Sequence, residues 1–327
     1  MRFLIDANGG DNAPVAQIKA SIRAVSTMDI EIVLVGDKKR IDELLEEYKY
    51  SGSKITIVDA WQTVENCESP VEAVKKKQNA SIVVASRLLK DKEADALITA
   101  GSTGAMLVCG QLIVGRIKGI KRPAIATVLP TAKGGKLLID SGANTNCSEI
   151  NLIQFAKMGS IYMENAEGVK RPMVGLLSNG EEDEKGNEVI KQTNILLHEQ
   201  NLNFIGNIEG RDIMQGNADV IVCDGFVGNV VLKTIEGTAS VLTGKIKTMF
   251  RKNIFTKLGA LFVKEGIYEF KSSMDYREYG GAPLLGINAP MIKAHGSSDD
   301  VALYNAIRQA YRVVESNITE KIRQTER

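Results

Sequence analysis

Short β-rich runs alternate with stretches of helical period along the whole chain, and this alternation restricts the possible folds more than any single motif. "FLID", "EIVLVG", "ITIVDA", "DALITA", "IATVLP", "KLLID", "MVGLL", "NFIG" and "VIVCD" read as strands. Between most of them lie segments such as "SPVEAVKKKQNASIVVASRLLKD", whose apolar residues recur about every 3.6 positions. The pattern predicts a mostly parallel sheet covered by helices on both faces, a three-layer α/β/α sandwich. With 327 residues, 44% hydrophobic and 25% charged, the chain is long and apolar enough to bury a full core. No low-complexity linker or internal repeat divides it, so it reads as a single α/β domain over residues 1–327 with a helical excursion at about 240–275.

The net charge of +1 gives no global attraction to nucleic acid or anionic lipid, so any electrostatic partner must be met by a local patch. Cys67, Cys109, Cys147 and Cys223 are scattered without a Cys-x-x-Cys pair, and "MRFLIDANGG" lacks a secretory apolar region. A reduced, cytoplasmic protein is expected. The longest nearly apolar run, "GAMLVCGQLIVG" (104–115), falls well short of the roughly 20 residues that cross a bilayer and reads as a buried helix.

The strand ends carry the functional signal. "LIDANGGDNAP" (4–14), "ITAGSTGA" (98–105), "LIDSGANTN" (138–146), "LLSNGEEDEKGNE" (176–188), "GNIEGRD" (206–212) and "CDGFVGN" (223–229) each pass from an apolar run into Gly with Ser, Thr, Asn or Asp. Turn formation alone explains any one of them. In a parallel sheet, however, all carboxyl ends lie along one edge, where such sheets bind ligands, and six polar ends together indicate a site. Candidate binding residues are therefore Asp6, Asn8, Gly9, Gly10 and Asp11, then Gly101, Ser102, Thr103 and Gly104, then Asn179, Gly225 and Gly228, to which Ser297 of the loop "KAHGSSDD" is added. The turns at 101–104 and 225–229 run into helical stretches, whose free amides and positive dipole end favour an anion such as phosphate. An N-cap role for Ser102 or Thr103 is the alternative.

Several chemistries lack their residues. The dinucleotide fingerprint, the Walker A pattern, the Gly-x-Ser-x-Gly elbow and a metal-spaced His/Cys cluster are all absent from the sequence, so no cofactor and no metal is expected. Of the two histidines, His198 in "ILLHEQN" reads as a helix-surface residue, whereas His295 in "KAHGSSDD" sits among Gly and hydroxyls. Lys185 follows a strand end beside Asn179 and Gly180, within an acidic run that reads equally as solvated charge.

The motifs "DANGGD", "AGSTGA", "VGRIKGIKRPA", "DSGAN", "GNEVIKQT", "GNIEGRD", "DGFVGNVVLKTIEG", "YGGAPLLG" and "KAHGSSD", in this order from residue 6 to 299, closely resemble those of the bacterial phosphate acyltransferases of phospholipid synthesis. The resemblance implies a fold like that of the isopropylmalate dehydrogenase and phosphotransacetylase group. It also implies a homodimer that moves an acyl group from acyl-acyl carrier protein to inorganic phosphate, giving acyl phosphate. The sequence departs from the family pattern at Asn8, where Met is usual, Ser102, where Asn is usual, and Gly210, where Ala is usual. Phosphate is itself a nucleophile and a thiol of pKa about 8.5 leaves readily, so the chemistry needs mainly positioning and oxyanion donors. Lys185, His295, Asn144 and Asn229 are assigned to those tasks, and Asp11 and Asp224 to orienting the cations or accepting a phosphate proton. Two other readings stay open: a decarboxylating NAD-dependent dehydrogenase, by fold analogy, and a non-catalytic module binding carrier protein and membrane. An acyl-coenzyme A-dependent phosphotransacylase is a variant of the first reading.

Two surface features accompany this reading. The acidic carrier protein calls for a basic patch, and Lys75, Lys76 and Lys77 form one candidate while Arg116, Lys118, Lys121 and Arg122 form another. In residues 245–271, helical placement puts Ile246, Met249, Phe250, Ile254, Leu258, Leu261 and Phe262 on one face, with Lys245, Lys247, Arg251, Lys252 and Lys257 largely off it. Such a basic amphipathic segment suits an anionic membrane surface, where a membrane glycerol-phosphate acyltransferase would take the product, and it equally suits a core or dimer contact.

Overall fold

All nine β-rich runs form strands, because each combines branched or aromatic residues with a turn at either end. They are β1 (Arg2–Asp6), β2 (Glu31–Gly36), β3 (Ile55–Asp59), β4 (Ala96–Thr99), β5 (Ala124–Thr131), β6 (Gly134–Ile139), β7 (Met173–Leu177), β8 (Asn203–Ile208) and β9 (Val220–Val222). Two short strands outside the expected set, β10 (Ala282–Leu285) and β11 (Met291–Lys293), complete the sheet. The computed structural model describes residues 1–264, 266 and 280–325.

The helices between strands are α1 (Val15–Thr27), α2 (Lys38–Glu47), α3 (Pro70–Lys76), α4 (Ser81–Lys90), α5 (Thr103–Cys109), which runs into a π-helical turn at Gly110–Val114, and α6 (Glu149–Asn165). They continue with α7 (Glu188–His198), α8 (Gly210–Gln215), α9 (Gly225–Arg251), α10 (Ile254–Phe262), α11 (Asp300–Glu315) and α12 (Ile318–Thr325). Acidic and amide side chains start several of them by accepting a first-turn amide: Asp37 from Arg40, Asn187 from Ile190, Asp224 from Val227 and Asp299 from Ala302.

The strands form one eleven-stranded sheet in the order β3-β2-β1-β4-β11-β10-β5-β6-β9-β7-β8. Pairing is parallel on both flanks, while β10 runs antiparallel to β11 and to β5, and β5 antiparallel to β6. The sheet is thus mostly parallel with an antiparallel centre. Among the described strands, the two flanks are joined in the sheet through β10 and β11.

Alternate residues along each strand point to opposite faces and build separate cores. Phe3, Ile5, Ile32 and Leu34 pack with Ile18 of α1, and the same cluster takes in Phe155 of α6 and Leu303 of α11. The other face holds two clusters, one joining Leu4 and Val33 to Val83 of α4 and Met106 of α5, the other joining Leu129, Leu138 and Ile221 to Ile213 of α8 and the half-buried Val231, Leu232 and Ile235 of α9. Three layers result.

The start of the expected excursion, residues 240–251, falls in the distal part of α9, a helix of 27 residues in which only Gly225 and Gly228 are buried. α10 packs against its far end. The pair leaves Met249, Phe255 and Phe262 exposed, at 54%, 80% and 91%, while Ile246 and Phe250 are half-buried. Glu265 and residues 267–271 of the amphipathic stretch, and the remainder of the excursion to 275, lie outside the described residues. No helix among the described residues is long and apolar enough to cross a membrane.

Candidate active site

Two buried aspartates at strand ends shape the loops on the carboxyl edge of the sheet. Asp6, ending β1, accepts hydrogen bonds from Ser81 Oγ (2.5 Å) and Thr99 Oγ1 (2.7 Å). Burial holds its carboxyl above the ordinary carboxylate range, the two hydroxyls opposing this only in part. Gly9 passes so close that a Cβ there would lie 2.5 Å from Asp6 Oδ2, which is why the first polar turn needs a glycine at this point. The turn is also tied to the chain end: Asp11 N donates to Gly296 O (2.8 Å), and Asn12 Nδ2 to Ser297 O (3.2 Å) and Ser298 O (3.1 Å).

Asp140, following β6, performs the same task on the other flank with more partners. Its Oδ1 accepts the amides of Ile125 (3.1 Å), Gly142 (3.1 Å) and Ala143 (2.9 Å), and its Oδ2 accepts Asn144 N (2.7 Å) and Asn144 Nδ2 (2.8 Å). Asn144 O in turn accepts the Gly225 amide at 2.7 Å, so the loop after β6 holds the start of α9. A Cβ on Gly228 would meet the Asp140 carbonyl oxygen at 1.9 Å, so only glycine allows α9 to approach this far.

Between these two loops lies a cavity of about 430 Å³. Its polar wall carries Thr103, Thr127, Ser141, Asn229, Lys233, Glu236, Lys293 and His295, and Ile125, Val128, Leu232 and Ala282 give it an apolar side. Lys233 Nζ lies 2.7 Å from Glu236 Oε2 and 3.4 Å from His295 Nε2. His295 Nδ1 faces the Ser297 hydroxyl (2.9 Å) and accepts the Ser297 amide (3.2 Å). Burial first, and then the Lys233 charge, hold the imidazole below its ordinary value. Lys293, at the end of β11, donates to Ala100 O at 3.3 Å and to Ala294 O, and burial pushes its ammonium down to about 8. The arrangement places cationic and neutral donors beside an apolar wall, which suits a ligand with an anionic head and a hydrocarbon part.

The chain matches the family described as "Fatty acid synthesis protein" over residues 1–321. It is 48% identical over 322 residues to a phosphate acyltransferase of Thermoanaerobacterium thermosaccharolyticum, covering 98% of this chain and 96% of that one. To the phosphate acyltransferase of Desulfitobacterium hafniense strain DCB-2 it is 52% identical over 324 residues, covering 99% and 97%. The chain belongs to the phosphate acyltransferase family. Among solved structures, a phosphotransacetylase from Streptococcus pyogenes superposes with a TM-score of 0.65 at 14% identity, over 98% of this chain and 94% of the other. A putative 4-hydroxythreonine-4-phosphate dehydrogenase from Salmonella typhimurium gives 0.56 at 12% identity, over 96% and 99%. These likenesses concern the fold, and they agree with the expected phosphotransacetylase-like sheet.

In this phosphate acyltransferase the cavity gathers Gly101, Thr103, Asn229 and His295 from the residues nominated by sequence. The others do not line it. Asp6, Gly9, Gly10, Gly225 and Gly228 shape the loops and helix start beside it, and Asn144 braces the second loop, donating also to Pro123 O (2.8 Å). Ser102 caps α5 by accepting the Ala105 amide at 3.4 Å, Gly104 packs on Pro70, and Asp224 caps α9. Asn8 faces away, its amide donating to Ala60 O (2.9 Å) and its oxygen accepting Asp37 N (3.2 Å), so this departure from the family pattern serves the neighbouring loops. Lys185 and Asn179 are exposed on the loop after β7, outside the cavity lining, with the Lys185 stem lying over Gly180. In that region Glu181, Glu209 and Asp212 converge, a cluster that the sequence did not reveal. Arg211 already pairs with Glu209 (2.7 Å) and Glu181 (3.5 Å), and Asp212 accepts the Glu209 amide (2.9 Å).

Sequence reading missed Thr127, Ser141, Lys233, Glu236 and Lys293. The signal for Lys233 and Glu236 was available, since they follow Asn229 by four and seven positions on one helix and so share its face. Lys293 opens the "KAHGSSD" motif, but β11, three residues long, shows no strand period that would point its side chain toward the cavity.

Proposed function

We propose that the cavity transfers a fatty acyl group from acyl-acyl carrier protein to inorganic phosphate, giving acyl phosphate for phospholipid synthesis. The supporting observation is the union in one cavity of Lys233, Lys293, His295 and the Asn229 amide with the apolar Ile125, Val128 and Leu232. A phosphate oxygen attacks the thioester carbonyl carbon, and the carbonyl electrons move to oxygen. Collapse of the tetrahedral intermediate breaks the C–S bond, and the carrier thiolate leaves with the electron pair. The protein's work is to hold phosphate in line with the carbonyl and to present donors to the oxyanion, for which Asn229 is well placed. A covalent protein nucleophile is unnecessary, which accords with the buried Cys109 and Cys223, whose thiols burial pushes well up.

The carrier protein reaches this cavity across a basic surface. Lys76 pairs with Glu72 (3.2 Å) and Lys77 with Glu68 (2.6 Å), so that cluster is partly neutralised, whereas Arg116, Lys118, Lys121 and Arg122 are all exposed in one loop. The second cluster is therefore the favoured docking site. Exposed Phe226, Val227 and Val230 on the first turns of α9 offer an apolar face to a second copy of the chain, and the tip formed by α9 and α10 binds an anionic membrane. The enzyme then works as a homodimer, peripherally attached from the cytoplasm, and delivers a poorly soluble product beside the bilayer.

The decisive test is incubation of the protein with acyl-acyl carrier protein and inorganic phosphate, with hydroxylamine trapping of acyl phosphate and parallel measurement of released thiol. Equal yields of hydroxamate and thiol, both requiring phosphate, are expected. Thiol release without trapped product means hydrolysis and overturns the reading.

A further inference from the structure

The cavity holds two lysines, and their surroundings differ. Lys233 rises from α9 with Glu236 2.7 Å away, so its charge is met by a carboxylate before any ligand arrives. Lys293 comes from β11, the strand inserted between β4 and β10, and is partly buried. Its ammonium donates to two main-chain carbonyls, Ala100 O and Ala294 O. Those bonds fix the head without neutralising it. An ammonium has three donors, so one remains for the cavity that Lys293 lines.

Among the described residues, no carboxylate lies within 4 Å of Lys293 Nζ. The charged groups acting on it are Asp6 and Asp11, which favour its charged form, and Lys233, which opposes it. Asp6 is already engaged by Ser81 and Thr99, and Asp11 is exposed on the first loop. A partly buried cation held by carbonyls alone and aimed into a cavity is an unfavourable arrangement until an anion enters. Lys185, the cation nominated from sequence, stands on an exposed loop and meets none of these conditions.

We propose that Lys293 is a catalytic residue of the acyl transfer, contacting the nucleophilic phosphate directly and holding it against the thioester. This rests on the acyltransferase reading above. Lys293 keeps its proton throughout: it neutralises part of the phosphate charge, leaves an oxygen lone pair free for attack, and takes no part in the departure of the thiolate. Because burial holds the ammonium down to about 8, its charge is lost at mildly alkaline pH, and activity should decline as pH rises through that value.

The test compares wild type, Lys293→Met and Lys293→Gln in steady-state assays with acyl-acyl carrier protein and varied inorganic phosphate between pH 6 and 10, a range chosen to bracket about 8. Both variants are expected to raise the KM for phosphate at least about tenfold with less change in the KM for the carrier substrate. The basic limb of kcat/KM for phosphate, centred near 8 in wild type, should disappear in both. Gln keeps a polar head for the two carbonyls and serves if the Met variant fails to fold. A phosphate KM within about twofold of wild type, with the basic limb retained, overturns the proposal. If wild type shows no phosphate-dependent thiol release, the acyltransferase reading falls by itself. Calorimetric titration of wild type and Lys293→Met with inorganic phosphate then decides separately whether Lys293 binds the anion: undiminished binding by the variant refutes the contact.

Discussion

Replacing Asp140 by Asn tests how far the cavity depends on one buried carboxylate. The substitution preserves shape and exchanges one acceptor oxygen for an NH₂ group. The surviving oxygen is best placed at the Oδ1 position, where three amides converge from Ile125, Gly142 and Ala143. The NH₂ group then faces Asn144 N and Asn144 Nδ2, which stood 2.7 and 2.8 Å from Oδ2, so donor meets donor twice. Two lost charge-assisted bonds at about 1.5–3 kcal/mol each give a destabilisation of roughly 3–6 kcal/mol. At roughly 2–3 °C per kcal/mol for a chain of this size, the melting temperature should fall by about 6–18 °C. Ser141 and Gly142 line the cavity and Asn144 holds the start of α9, so turnover should also fall at least about tenfold. Urea unfolding followed by circular dichroism, with thiol-release kinetics on the folded variant, measures both. A loss below about 1 kcal/mol refutes the five-donor account, and normal turnover in a destabilised variant refutes the link from loop to site.

Asn229→Ala should lower turnover about tenfold at saturating phosphate, as loss of an oxyanion donor does; unchanged turnover removes Asn229 from that role. Lys185→Ala should lower it by about tenfold too if the loop after β7 reaches carrier-bound substrate, and a wild-type rate leaves Lys185 a solvated charge. The joint change Lys118→Glu and Lys121→Glu should raise the KM for acyl-carrier substrate and weaken its salt dependence, and an unchanged KM moves docking elsewhere. Flotation with anionic vesicles should recover the protein at low salt and lose it with Phe255→Asp and Phe262→Asp together, soluble activity being retained; dissociation of a dimer by those changes instead makes the tip an interface. His295 is held below its ordinary 6.5, so the unfolded chain takes up the proton first and stability is lost as pH falls below that value. His295→Gln should flatten this decline in urea midpoints, and an identical slope in the variant assigns the acid sensitivity to other groups.

The flanks of the sheet were readable because each strand there is an apolar run closed by a polar turn, a signal that needs no tertiary information. β10 and β11 were not: four and three residues long, they sit in "GGAPLLGINAPMIKAHG", where Gly and Pro suggest only loop, and their strand character comes from neighbours on both sides. Lys293 stands among 41 lysines and arginines, whereas His295 is one of two histidines and marks itself by rarity. The polar turns announced the location of the site, but a turn does not say which way its side chains face. Asn8, Asn144 and Asp224 carry suitable groups, yet they bond to the main chain around the cavity. The amphipathic stripe beyond residue 245 was legible as a period, whereas the length of the helix that carries it was set by the capping at Asp224 far upstream.

The insertion of β10 and β11 between β4 and β5 has a consequence for how the molecule is made. As the chain leaves the ribosome, β1 to β4 and β5 to β9 can each pair within their own flank, but each flank ends in a bare edge until residues 282–293 arrive. This segment acts as a keystone, laid after both flanks and touching each, with only α11 and α12 still to follow. Since Lys293 belongs to it and His295 follows two residues later, a chain that ends before this segment lacks that wall of the cavity, and the closing of the cavity and the covering of the two open edges come together.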